Sequence, residues 1–160
     1  VGRHWTFVLL FLLAATLDRA TKHWAQAALA DGQSIEAIGG FLYFTLTYNT
    51  GIAFGMLPDS LWLIVPVSVI VIVGAFVIYL RSRGRSPWLT AALGLLIGGA
   101  TANLYDRVVH GRVTDFIDLH WWPVFNVADS AITVAVLMLV LRGLFAPEAK
   151  DDAPAEPARE

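Results

Sequence analysis

"FNVADSAITVAVLMLVL", residues 125–141, is apolar and nearly long enough to cross a bilayer, yet it carries a carboxylate close to its start. At ~1.5 Å of rise per residue, about twenty residues span the hydrocarbon. A charged side chain within such a span costs roughly 2.5–3.5 kcal/mol at the bilayer centre and less towards the interface. Asp129 has no basic residue three or four positions away to offset that cost. An acid in this position marks a working site rather than a structural pair.

Working outward, the rest of the chain fits the same solvent. It has 160 residues, 57% of them hydrophobic and 15% charged, with a mean hydropathy of +0.63. A water-soluble domain of this size has too little interior to bury so much apolar surface. Leu61–Leu80 contains no charge, Pro87–Tyr105 contains none, and Pro123–Leu141 is broken only by Asp129. Trp5–Leu17 is apolar and reaches spanning length when extended through "DRATKHW" to Trp24. A cleaved secretory leader is the simpler reading of that start, since Arg3 precedes an apolar core. Four spans account for the loops better. The connection "RSRGRS" (81–86) holds three arginines and is expected on the cytoplasmic side. Both termini then lie inside, with 25–60 and 106–123 outside and Trp121 and Trp122 as interfacial anchors.

The expected fold is an all-α membrane protein with four transmembrane helices. "FLYFTLTYNTGIAFGML" (41–57) is rich in β-formers with a turn at "YNTG", so a small extracytoplasmic sheet is expected at about 33–57, between helices 1 and 2. "VTDFIDLHWWP" (113–123) is expected to be a short surface helix between helices 3 and 4. Residues 1–146 form the membrane domain. Residues 147–160, with five acids, two bases and three prolines, form a disordered acidic cytoplasmic tail.

Several chemistries are excluded at once. There is no cysteine, hence no disulfide, thiolate or cysteine zinc site, and no HExxH, GxSxG or glycine-rich phosphate loop. No basic patch points to nucleic acid. His110 and His120 with Asp118 are the only metal candidates, at a spacing that diagnoses nothing, so no metal or cofactor is expected.

The intramembrane polar groups gather at the outer ends of the helices. Asp18 and Lys22 share a face of the first, Gly99, Asn103 and Arg107 a face of the third, and Asn126, Asp129 and Thr133 a face of the fourth. Asn49 lies in the outer sheet. Asp18 with Lys22 and Asp106 with Arg107 could each be a plain ion pair. Gly94, Gly98 and Ala102 suit helix packing. Two carboxylates held together cannot both ionise, so one keeps a proton while the other activates water. Asp129 would need a partner, and Asp18, Asp106, Asp115 and Asp118 are all on the outer side. Two other classes compete: a proton-coupled transporter relaying through Asp129 and Asp18, and a Ser-Lys protease pairing Lys22 with Ser130.

In order, "LDRATK" (17–22), "YNTGIAFG" (48–55), "GGATANLYDR" (98–107), "VTDFID" (113–118) and "FNVADSAI" (125–132) resemble lipoprotein signal peptidase (signal peptidase II). The resemblance runs from about residue 5 to 142. It implies a bacterial inner-membrane aspartyl endopeptidase, without cofactor, that cuts diacylglyceryl-modified prolipoproteins before the lipidated cysteine. It places the catalytic pair on Asp115 and Asp129. Asn49, Gly99, Asn103, Arg107, Asn126, Asp18 and Lys22 then support the site or bind substrate. Lys22 and Asp18 would brace the helices. The expected partners are those substrates and membrane lipids, with the enzyme a monomer. Ala102 and Ile52 depart from the family's usual glycine and alanine and would add bulk near the cleft.

Overall fold

The computed structural model describes residues 2–30, 33–51, 60–82 and 86–145. Four helices are present: α1 (Gly2–Ala28), α2 (Leu61–Ser82), α3 (Pro87–His110) and α4 (Val127–Phe145). Three of them, α2, α3 and α4, are long and apolar enough to cross a membrane. α1 is longer still, but Asp18, Arg19 and Lys22 interrupt its C-terminal half. Along α2 and α4 large apolar side chains face outward, among them Ile70, Val73, Leu80 and Leu137. In water that surface would be unfavourable; against lipid it is neutral.

α3 is the central helix, packed against each of the other three. Its bounds follow from local chemistry. Ser86 caps the start by accepting from the Leu89 N–H, and Pro87 occupies the first turn, where no N–H is needed. Gly111, at φ 69°, closes the end with a bond from its N–H to the Arg107 carbonyl. Glycines bring α3's neighbours to backbone contact. A methyl added at Gly98 would lie 2.6 Å from the Phe11 carbonyl of α1, and one at Gly94 2.9 Å from that of Phe7.

The sheet has order β1-β2-β3, all antiparallel, with β1 at Ser34–Ile38, β2 at Leu42–Asn49 and β3 at Val113–Asp118. The expected surface helix at 113–123 is therefore wrong. Val113, Thr114 and Ile117 are β-branched, and β2 offers an open edge to which they pair, from Asn49↔Val113 to Tyr43↔Asp118. Burial fixes the register, because Phe116 packs with Leu46, Ala25 and Leu29 beneath the sheet. The turn of the β1–β2 hairpin lies at 39–41, with Gly40 at φ 69°; "YNTG" instead ends β2. Residues 52–57 of the expected sheet, Ile52 included, and the tail at 147–160 lie outside the described residues.

A second apolar core, at the far end of the helices, joins Phe7, Ala75, Tyr79, Leu89, Leu93 and Ile97. Between it and the core beneath the sheet lies a buried polar layer.

Candidate active site

That layer is assembled from α1, α3, β3 and α4. Its buried polar residues include Asp18, Lys22, Asn103, Asp106, Asp115 and Asn126. Each has a partner that explains its place.

Asn126 precedes α4 and caps it. Its Oδ1 accepts from the Asp129 N–H at 2.9 Å, while its own N–H donates to Asp129 Oδ2 at 3.2 Å, a reciprocal capping box. With its oxygen so engaged, Asn126 must turn its Nδ2 outward, where it donates to Asp115 Oδ1 at 2.6 Å. One asparagine thus touches both aspartates. Asn49 approaches Asp115 from β2, donating from Nδ2 to Oδ2 at 3.2 Å, while its Oδ1 accepts from the Gly51 N–H. Asn103 donates from Nδ2 to Asp129 Oδ1 at 2.7 Å. Burial, and after it the charge of Asp129, push the Asp115 carboxyl up to about 7.

Behind Asn103 stands Lys22. Its Nζ lies 2.9 Å from Asn103 Oδ1, 2.7 Å from Asp18 Oδ2 and 2.8 Å from Asp106 Oδ2. Asp18 uses its other oxygen on α4, accepting from the Ala128 N–H at 2.8 Å. Gly99 permits that contact, since any methyl there would meet the Ala128 carbonyl at 2.6 Å. All nine residues named from the sequence therefore fall into one connected group or directly against it.

Other expectations are corrected. Asp106 pairs with Lys22 and with Arg19 at 3.2 Å, not with its neighbour Arg107. Its place was readable, because 99, 103 and 106 share one helix face. Ala102 lines a groove between α1 and α3 with Asp18 and Arg19, away from the clefts at Asp129, so its methyl adds no bulk there. Asp118 belongs to the sheet, accepting from Thr45 Oγ1 and the His120 N–H. Thr133 donates to the Asp129 carbonyl within its own helix. Ser130 likewise donates to the Asn126 carbonyl, and Lys22 is engaged by two carboxylates and an amide, so they form no Ser-Lys pair. Among the described residues no three histidines or acids gather as a metal site.

Two clefts meet at Asp129 and Arg107. One, of about 300 Å³, is lined by Asn49, Arg107, Asp115, Phe125 and Asp129. The other, of about 420 Å³, runs between α2, α3 and α4; Ile64, Val67, Val71 and Leu96 form its apolar wall, and Asn103, Arg107 and Asp129 its polar end. Arg107 faces both. One of its terminal nitrogens donates to the Gly51 carbonyl at 3.2 Å, and its buried Nε has no partner among the described residues.

Comparison with known proteins gives the family. The lipoprotein signal peptidase of Pseudomonas putida is 46% identical over 142 residues, 82% of each chain. That of Syntrophomonas wolfei is 44% identical over 131 residues, 82% of this chain and 87% of the relative. A bacterial membrane enzyme solved by the in meso method at 2.3 Å superposes with a TM-score of 0.83 at 28% identity, over 97% of this chain and 94% of its own. The model of the signal peptidase (SPase) II family matches residues 10–145. On these matches the chain belongs to the signal peptidase II family of aspartic proteases.

Proposed function

We propose that the chain is an intramembrane aspartyl endopeptidase that removes the signal peptide from diacylglyceryl-modified prolipoproteins, with Asp115 and Asp129 as its catalytic pair. The observation that carries this reading is the bridge through Asn126, which places both carboxylates on one cleft. All four helices span the bilayer, both termini are cytoplasmic, and the dyad lies near the outer face. Residues 1–146 are the enzyme domain and 147–160 an appended acidic tail.

The chemistry needs no covalent intermediate. The pair holds one proton; with the Asp115 carboxyl raised to about 7 by burial, we assign that proton to Asp115 and the charge to Asp129. Water adds to the scissile carbonyl as Asp129 takes one of its protons, and Asp115 gives its proton to the carbonyl oxygen. As the tetrahedral carbon collapses, one diol hydroxyl returns its proton to Asp115, and Asp129 passes its own to the departing amine. The C–N bond breaks and the dyad recovers its single shared proton. Arg107, which lines both clefts, suits a backbone carbonyl of the substrate. The apolar wall from α2 suits the signal peptide and acyl chains.

The test is incubation of purified enzyme with a diacylated prolipoprotein peptide. Cleavage immediately before the lipidated cysteine, abolished by Asp115→Asn and by Asp129→Asn, supports the reading. Robust turnover by either variant overturns it.

A further inference from the structure

Lys22 has so far looked like a brace: a buried ammonium between two aspartates that ties α1 to α3. Its third contact says more. Asn103 has one oxygen and one NH2 at the end of its side chain, and the two are sterically interchangeable. An ammonium can only donate, so the atom of Asn103 that faces Lys22 Nζ at 2.9 Å must be the oxygen. Asn126 Nδ2 reaches the same oxygen at 3.2 Å. The NH2 is then left with one direction, towards Asp129 Oδ1 at 2.7 Å.

We propose that Lys22 is a positioning residue for the dyad: by holding the Asn103 oxygen, it forces the Asn103 NH2 onto Asp129. The inference rests on the dyad reading above and deepens it. Asn49 and Asn126 have their amides fixed by backbone N–H groups, those of Gly51 and Asp129. Asn103 is the one of the three fixed by a lysine. Without Lys22 the Asn103 oxygen keeps only the longer contact from Asn126 Nδ2, and its amide is freer to rotate and set that oxygen against an Asp129 oxygen. The two acceptors repel, and Asp129 turns away from the attacking water. The titratable groups around this point are Asp18, Arg19 and Lys22 on α1, Asp106 and Arg107 on α3, Asp115 on β3 and Asp129 on α4.

The test is a double-mutant cycle on kcat with the diacylated peptide, using Lys22→Met, Asn103→Ala and both together. Because Lys22→Met leaves Asp18 without a cation and Asp106 with Arg19 alone, the cycle is also run with Asp18→Asn in every member. The expected result is that Lys22→Met lowers kcat by roughly 10–100-fold with KM little changed, and costs almost nothing more once Asn103 is alanine. Asp106→Asn alone, which loosens the brace but leaves Lys22 on Asn103, should lower the thermal midpoint and reduce kcat far less than Lys22→Met does. Full additivity of the Lys22 and Asn103 effects would overturn the proposal, as would failure of Lys22→Met to fold in both backgrounds, since either outcome makes Lys22 a brace alone. Loss of the dyad reading has a different signature, turnover by Asp115→Asn or Asp129→Asn.

Discussion

Asn126 and Asp129 cap each other across the first turn of α4, each accepting the other's backbone N–H. The proposed catalytic acid is thus also part of the helix's N-terminal cap, and the two duties respond differently to substitution. Asp129→Asn keeps an oxygen for the Asn126 N–H, though its NH2 then faces that of Asn103, and should fold with no measurable turnover. Asp129→Ala should lose the cap as well, at about 0.5–2 kcal/mol. Thermal unfolding of the two variants in the same detergent, beside their activities, checks the split. Equal midpoints would mean that the cap contributes nothing.

Asp115 makes the site sensitive to pH. Its carboxyl sits at about 7 when folded against 3.8 for an ordinary aspartate. Turnover should therefore decline as pH rises through about 7 and the dyad's proton is lost. Stability follows the same direction: the folded state holds this proton more tightly than the unfolded chain does. The stabilisation is complete below 3.8 and is lost as pH climbs through 7. Asp115→Asn should abolish activity and flatten that part of the stability profile. Asp118→Asn, on the same strand but bonded to Thr45, should keep both activity and slope.

The contact between Gly99 and α4 leaves no room for a methyl. Gly99→Ala should push the start of α4 away from α3, destabilise the fold by about 1–3 kcal/mol and depress activity with it. Gly74→Ala, where an added methyl meets nothing within 4 Å, is the matched control and should be neutral or slightly stabilising. Thermal midpoints of the pair decide the matter.

The lipid on the substrate should act through placement. A substrate already in the bilayer gains little by moving its acyl chains into the cleft between α2, α3 and α4, whose wall is apolar. Anchoring instead fixes the depth of the scissile carbonyl relative to Asp115 and Asp129. An unlipidated peptide of the same sequence should show a large loss in kcat/KM that added detergent does not restore. Equal rates for both peptides would refute the placement argument while leaving the dyad untouched.

Much of this site could be read from residue spacing. Helical periodicity put Asp18 with Lys22 and Asn103 with Arg107 on single faces, and the cost of the lone Asp129 marked it as the proposed working residue. The partner of Asp129 was not readable this way: four acids shared the outer side, and the resemblance to a family, not spacing, pointed to Asp115. Strand β3 was missed because "VTDFID" earns its conformation by pairing with β2, a contact seventy residues away in sequence that local pattern does not announce. Asp106 was misassigned because adjacency to Arg107 suggested a pair, whereas neighbours on a helix point about 100° apart.

α2 is held unevenly. Near its C-terminal end, Ala75 and Tyr79 are locked into the core, where Tyr79 stacks on Phe7 and its hydroxyl meets His4 Nδ1. Towards its N-terminal end it forms one wall of the apolar cleft and otherwise faces outward, with Trp62 78% exposed. A helix whose core contacts, among the described residues, gather at one end can lean about that end while α1, α3 and α4, joined through backbone contacts and the polar layer, stay in place. Its lean is then set by the thickness of the surrounding bilayer, which tilts a long apolar helix more as it thins. Membrane thickness would tune how readily the cleft admits a substrate and leave the geometry of the two aspartates alone.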